Sequence, residues 1–265
     1  MTHGGAGRAA LISPDVTNSL SGRCALVTGA ASGIGRACAV EFATAGTDVI
    51  VLDHDADHAR QVADEIGGRA LVCDLAADDA LNEIAAEPVD IVVNNAGFQH
   101  VAPLPEFDRA TYRRMQRVML EVPFELAQRL LPGMYERGWG RFVHISSVHG
   151  KRASAYKAGY VTAKHGLEGL SKAIAVEGAP HGVTSNAICP GYVRTPLVEA
   201  QLDDQARAHE LSRADVLDDV LLARTPLKRL LEPSEVAELA VFLAGDAAAS
   251  ITGASYDMAG GWTAT

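Results

Sequence analysis

From Arg23 onward, short aliphatic or β-branched runs alternate with longer stretches whose apolar residues recur at helical spacing. The strand candidates are Cys24 to Thr28, Asp48 to Leu52, Ala70 to Cys73, Ile91 to Asn94, Arg141 to Ser146, Val183 to Ile188, and a last one near Ala254 to Met258. Between them lie helical patterns such as Gly35 to Ala45, Thr111 to Met134, Tyr160 to Val176 and Pro233 to Ala244, the last opening on Pro233 and Ser234, a good helix start. Such alternation marks repeated βαβ units and a parallel sheet. The expected fold is therefore α/β: a doubly wound, Rossmann-type parallel sheet of about seven strands with helices on both faces. The stretch Leu197 to Leu230 breaks the rhythm where a strand-to-helix connection should be short. Long connections are lids or disordered segments, and the apolar periodicity here favours a small helical substrate lid. Residues 1–20 read as a flexible N-terminal tail and 21–265 as one domain carrying the lid insertion 197–230.

Composition narrows the partners. The chain has 265 residues, enough for one substantial core, and its formal charge is −10 with Lys and Arg scattered. The absence of a basic run argues against nucleic acid or an anionic membrane and leaves a small diffusible ligand. Cys24, Cys38, Cys73 and Cys189 lie far apart, so neither a metal cluster nor a disulfide framework is suggested, and buried core thiols are expected. The first twenty residues lack the order of a signal peptide and no apolar stretch spans a bilayer, so a cytoplasmic protein is expected.

Directly after the first strand comes Thr28-Gly29-Ala30-Ala31-Ser32-Gly33-Ile34-Gly35, opening a helix. Glycines at that place let the backbone turn tightly and approach a pyrophosphate, whose charge rests on the free N–H groups of the helix start. The second strand leads into Asp53, where a carboxylate accepts from ribose hydroxyls and repels a 2′-phosphate. No arginine in the glycine loop or just after Asp53 offers itself to a phosphate, so NAD is preferred over NADP. Further along, Tyr160 and Lys164 stand four residues apart, on one helix face. An ammonium beside a phenol favours the phenolate, as a general base for an alcohol requires. Ser147, thirteen residues before Tyr160, ends the fifth strand, and strand ends of an open parallel sheet form its ligand crevice. The three therefore converge. Lys157 precedes Tyr160 by three residues, and Gln99 and His149 each follow a strand end, so three hydrogen-bond donors surround the same centre, an arrangement suited to a carboxylate.

These residues resemble the short-chain dehydrogenases/reductases, through the glycine spacing, Asn94-Asn95-Ala96-Gly97, the Tyr-x-x-x-Lys pair and the loop Pro190 to Thr195; the resemblance runs from Leu20 to Trp262. It implies that Gly29, Ser32, Gly33, Ile34 and Gly35 cradle the pyrophosphate and that Asp74 and Leu75 border the adenine. It further implies that Asn95 and Gly97 line the adenosine-side ribose, and that Pro190, Val193 and Thr195 lie at the nicotinamide carboxamide. Ser147 would bind the substrate oxygen, Tyr160 exchange its proton, and Lys164 also hold the nicotinamide ribose, with direct hydride transfer and no metal. Within that family the chain is similar to the bacterial D-3-hydroxybutyrate dehydrogenases. This narrower likeness assigns Gln99, His149, Lys157 and Gln201 to the substrate carboxylate, and Trp262 to the pocket wall. Tyr192 stands where many members have tryptophan, by the substrate methyl. It implies an NAD-dependent enzyme interconverting (R)-3-hydroxybutyrate, or a similar small 3-hydroxy acid, and acetoacetate, usually as a homotetramer. Alternatives are a reductase of another carbonyl such as a 3-oxoacyl thioester, for which no basic patch is visible, or a catalytically quiet NAD-binding regulator. Met119 stands where the family has an asparagine tied to a helix distortion, whose backbone carbonyl holds a relay water. Pro123, four residues on, has no N–H, so the Met119 carbonyl is expected to be left free and the helix kinked.

Overall fold

The strands that begin at Cys24, Asp48 and Ile91 are largely apolar on both faces, and the structure, a computed structural model, explains why: the sheet is covered on both sides there. It describes residues 20–78, 80–82, 84, 88–196, 198–199, 202 and 212–264. The strands are β1 (Cys24–Thr28), β2 (Asp48–Asp53), β3 (Arg69–Val72), β4 (Ile91–Asn94), β5 (Gly140–Ile145), β6 (Val183–Pro190) and β7 (Ser255–Met258). They form one seven-stranded sheet in the order β3-β2-β1-β4-β5-β6-β7, with every pairing parallel. Successive side chains alternate between the faces. Ala25, Val27, Val51, Ile91, Val93 and Val143 pack into one core, whereas Leu26, Leu52, Val92 and Phe142 pack into the other. A strand buried on both sides needs apolar residues at every position, which is the unbroken pattern read from the chain.

Six helices of eight or more residues are described: α1 (Gly33–Thr44), α2 (Ala56–Ile66), α3 (Arg109–Gln116), α4 (Val122–Arg137), α5 (Ala158–Gly178) and α6 (Pro233–Ala244). Local chemistry sets their ends. The Asp55 side chain accepts from the His58 N–H at the start of α2, and Gly67, at φ 65°, closes it. At the start of α6 the Glu232 N–H donates to Glu235 Oε2 (2.7 Å).

The expected single helix from Thr111 to Met134 is divided. Between α3 and α4 the chain makes a π turn over Arg117–Glu121, in which the Val122 N–H reaches back five residues to the Arg117 carbonyl. Pro123 lies one residue beyond, at the start of α4, and cannot donate a main-chain hydrogen bond. A π bulge is a recognised site of helix distortion, so the distortion expected at Met119 takes this form. In the lid region, residues 197, 200, 201 and 203–211 lie outside the described ones. The rest includes a helical turn Arg213–Asp215 continuing into a π turn Val216–Leu221, and Val216, Leu221 and Leu222 pack with Leu202 and Leu230 against Tyr192. Leu20, placed in the tail by sequence, is buried and its N–H donates to the Ala45 carbonyl at 3.1 Å; residues 1–19 lie outside the described ones. No disulfide joins the four cysteines, and no described helix is long and apolar enough to cross a membrane. Cys38 and Cys189 are buried, but Cys24 and Cys73 are partly exposed, and Cys73 borders the cleft described next, so the expectation of four core thiols holds for two.

Candidate active site

The order of β1 and β4 reverses the direction in which the sheet is built, and a crevice opens there at the carboxyl ends of the strands. It is a cleft of about 700 Å³ running from Asp53 at one end to Trp262 at the other. Gly29 (φ 65°) and Gly33 (φ 54°) adopt left-handed backbone, and a Cβ on Gly29 would lie 2.9 Å from the Ala96 Cα. Gly35 does not line the cleft; a Cβ there would strike the Gly29 carbonyl, so its role is close packing beneath the loop. The second motif braces the first. Asn95 Nδ2 donates to the Thr28 and Gly29 carbonyls (3.0 and 3.1 Å), and Thr28 Oγ1 accepts the N–H groups of Asn95 and Ala96 (3.0 Å each). Asp53 is buried rather than solvated: Oδ2 accepts the Ala31 N–H (3.0 Å), and Oδ1 accepts the Asp55 N–H (3.1 Å) and faces His54 Nδ1 (3.0 Å). Asp74, Leu75, Gly97, Pro190, Val193 and Thr195 border the same cleft. A glycine cradle that any side chain would fill, next to an acidic strand end, fits a dinucleotide.

Midway along the cleft, β5 ends and the turn Val148–Gly150 begins, with Ser147 Oγ accepting the His149 N–H (3.2 Å). The first turns of α5 bring Tyr160 and Lys164 to that point. Lys164 is 3% exposed, its ammonium donates to the Ile145 carbonyl (2.7 Å), and Nζ lies 5.6 Å from the Tyr160 ring centroid. Burial pushes Lys164 down to about 8, with Cys189 and Glu168 pulling the other way. Burial also raises the Tyr160 phenol, and a hydrogen bond with Ser147 opposes it. The expectation that the neighbouring ammonium lowers the phenol is corrected: burial disfavours the phenolate more than the Ser147 hydrogen bond favours it.

At the far end stand Gln99, His149, Lys157, Tyr192 and Trp262, all lining the cleft. Lys157 Nζ lies 3.4 Å from His149 Nε2. Burial and the Lys157 charge push His149 down to about 4, and burial lowers Lys157, so at neutral pH the imidazole is neutral. A lysine ammonium has only donors, so the ring nitrogen facing it accepts, and His149 serves first to orient Lys157. Gln201 lies outside the described residues. Met119 does not line the cleft: its side chain is 1% exposed, packs with Met115 and Ala163, and sits where a Cβ on Gly97 would meet its Sδ at 2.9 Å.

Sequence reasoning missed Arg114, which borders the cleft from α3 with Nη2 3.6 Å from Asp74 Oδ2 and its guanidinium 5.7 Å from the Phe98 ring centroid. Arg114 and Val118, which also borders the cleft, are four apart in sequence, and that spacing on one helix face was the available signal. Tyr156 was missed too. It is the one non-glycine residue with positive φ among those described, at 66°, and its carbonyl accepts the Ala102 N–H (3.0 Å) immediately before Lys157.

A seven-stranded parallel sheet with a glycine cradle and a Ser, Tyr and Lys cluster at its switch point defines a nucleotide-dependent oxidoreductase fold, and comparison with known proteins agrees. The family model described as enoyl-(acyl carrier protein) reductase matches residues 29–263. D-beta-hydroxybutyrate dehydrogenase of Rhizobium meliloti (strain 1021) is 41% identical over 255 residues, 91% of this chain and 99% of that one. Acetoacetyl-CoA reductase of the same organism is 37% identical, covering 90% of this chain and 98% of that one. A solved structure from Beutenbergia cavernae, described as a candidate NAD(P)-dependent gluconate 5-dehydrogenase with NADP bound at low occupancy, superposes with a TM-score of 0.84. It is 38% identical and covers 93% of this chain and 99% of that one. The chain belongs to the short-chain dehydrogenase/reductase family. It is an oxidoreductase of that family, and its cofactor is a pyridine nucleotide.

Proposed function

We propose that the protein is an NAD-dependent dehydrogenase of a small 3-hydroxy acid, interconverting (R)-3-hydroxybutyrate and acetoacetate. The observation that carries this is the Lys157 ammonium, half-buried against His149 within the cleft that holds Ser147 and Tyr160. A fixed cation near the proton-transfer group suits a substrate whose carboxylate lies one methylene away from its carbinol carbon. The 41% identical D-beta-hydroxybutyrate dehydrogenase supports the reading. A nicotinamide held in the cleft would supply the hydride acceptor or donor for the carbinol carbon. Tyr160 takes the hydroxyl proton on its phenolate oxygen, Ser147 donates to the substrate oxygen, and the Lys164 ammonium stabilises the phenolate. Lys157, joined by Gln99 and Gln201, holds the carboxylate, and Tyr192 and Trp262 close the pocket around a short chain. Gly29, Ser32, Gly33 and Ile34 hold the pyrophosphate over the cradle that Gly35 allows. Asp53, Asp74, Leu75, Asn95 and Gly97 hold the adenosine half, and Pro190, Val193 and Thr195 the nicotinamide half, together with Tyr160 and Lys164.

The second reading, reduction of a 3-oxoacyl thioester, is favoured by the similarity to acetoacetyl-CoA reductase. Measuring kcat/KM for 3-hydroxybutyrate with NAD beside that for acetoacetyl-CoA with NADPH separates the two. The first reading requires the acid to be preferred; a preference for the thioester sinks it.

The Asp53 carboxylate, tied to the glycine loop through Ala31, would face the 2′-phosphate of NADP. NAD should therefore be preferred, and Asp53→Ser should narrow the preference by roughly tenfold or more, the effect of one like-charge repulsion. Equal kcat/KM for the two cofactors in the unmutated enzyme contradicts the assignment.

Behind Lys164, the π turn at Arg117–Glu121 and the missing N–H of Pro123 support a relay through the Met119 carbonyl. Pro123→Ala supplies the absent donor. It is expected to lower kcat several-fold with little change in NAD affinity, as loss of a transition-state interaction does. Unchanged kcat rules out the relay.

A further inference from the structure

The turn after β5 carries Ser147 and His149, and the two residues following it are cations that reach the opposite end of the chain. The Lys151 ammonium meets the Asp257 carboxylate and donates to the Ser255 carbonyl (3.2 Å), both in β7. The Arg152 guanidinium donates to the Thr263 carbonyl at 2.7 Å. Between these two anchor points lie Gly260 and Gly261, at φ 57° and 88°, and then Trp262. Two left-handed glycines give the chain after β7 its freedom to turn. Local bonds from Trp262 to Ala259 and from Ala264 to Gly261 close that turn, and its long-range ties include the Leu227 N–H to the Gly260 carbonyl (2.9 Å) and the Arg152 guanidinium.

What the turn carries is the wall of the pocket. The Trp262 ring stacks on Tyr192 with centroids 6.1 Å apart and planes 1° from parallel, and meets His149 edge-on at 5.8 Å. His149 in turn meets Tyr160 edge-on at 6.1 Å. His149 Nδ1 makes no close hydrogen bond but is buried within the influence of the Arg152 main chain, which favours the protonated ring; the Arg152 main chain, the packing against these two rings and Lys157 at Nε2 together orient the imidazole. A displaced Trp262 would be felt at His149 and Lys157 before Tyr160. Neither Lys151 nor Arg152 lines the cleft.

We propose that Arg152, seconded by Lys151, is a positioning residue: by fastening the C-terminal turn to the Ser147–Gly150 turn, it fixes Trp262 against His149 and so sets the fit of the acid. The identity of that acid rests on the function proposed above; the fastening does not.

The chain has two tryptophans, and Trp139 packs between Arg23 and Arg141, away from the cleft. In a Trp139→Phe background the emission of Trp262 is therefore a sole reporter. Arg152→Ala should raise its quenching by acrylamide about twofold and KM for 3-hydroxybutyrate about tenfold, leaving kcat and KM for NAD within about twofold, the pattern of a misplaced binding group. Arg152→Lys should recover part of the loss. Unchanged quenching in Arg152→Ala overturns the fastening whatever the substrate is. Lower thermal stability with unchanged quenching and KM also overturns it, since Arg152 would then be an ordinary surface tie. Failure of the substrate assignment shows separately, as no turnover of 3-hydroxybutyrate by the unmutated enzyme, and the quenching measurement then decides alone.

Discussion

Tyr160→Phe is expected to lower kcat for alcohol oxidation by roughly a thousandfold or more, about 4 kcal/mol of barrier, while dinucleotide still binds. The substitution removes one oxygen and leaves the ring that packs against His149 and the Met115, Met119 and Ala163 cluster, so the fold should survive. What disappears is the atom that takes the proton. Neither neighbour replaces it: Lys164 donates to the Ile145 carbonyl and Ser147 is a poor base. Burial raises the Tyr160 phenol, so at neutral pH the proton-accepting form is the minor one. The kcat/KM of the unmutated enzyme should consequently climb with pH as the phenolate forms, and the variant should lose that climb. Fluorescence titration with NADH checks binding and a pH series checks the chemistry; residual activity that keeps the same pH dependence would remove Tyr160 from the proton step.

Lys157→Ala is expected to raise KM for 3-hydroxybutyrate by about ten- to a hundredfold, as loss of a hydrogen bond to a charged group does. The size follows from the charges around the site. His149 is held down first by burial, which the variant keeps although the Lys157 charge is gone, so it is a poor source of a cation in place of Lys157. Removing the ammonium also frees the His149 nitrogen 3.4 Å away, which can then turn an N–H toward the acid and soften the loss. Turnover of an uncharged secondary alcohol should hardly change. If the variant loses activity equally toward that alcohol, Lys157 serves the fold or the cofactor instead.

The strands and motifs were legible where chemistry and spacing are local. The boundaries of β1, β4 and α6 coincide with those read from the chain, because an unbroken apolar run or a Pro-Ser helix start marks them directly. Helix α2 went unremarked although Asp55 and Gly67 flank it, since its buried face is only Ala59, Val62 and Ala63. The break within Thr111 to Met134 escaped as a π turn because such a turn adds one residue without interrupting the apolar pattern; only Pro123 hinted at it. In the cleft, Ser147, Tyr160, Lys164 and Lys157 could be placed together because a strand end and one helix carry them all. The contacts of Trp262 with His149, of Arg114 with Asp74 and of Arg152 with Thr263 join residues far apart in the chain, and nothing local announces them. The direction of the Tyr160 shift was misjudged for the same reason: helix spacing places the ammonium, but burial depends on the whole fold.

The most direct test is the initial rate of NADH formation from each enantiomer of 3-hydroxybutyrate, measured beside 2-butanol under identical conditions. The (R)-acid should be oxidised steadily and preferred over 2-butanol by roughly a hundredfold or more in kcat/KM, the worth of a buried carboxylate contact, with the (S)-acid far behind. No NADH from either acid, or equal rates for acid and alcohol, would contradict the assignment of this cleft to a 3-hydroxy acid.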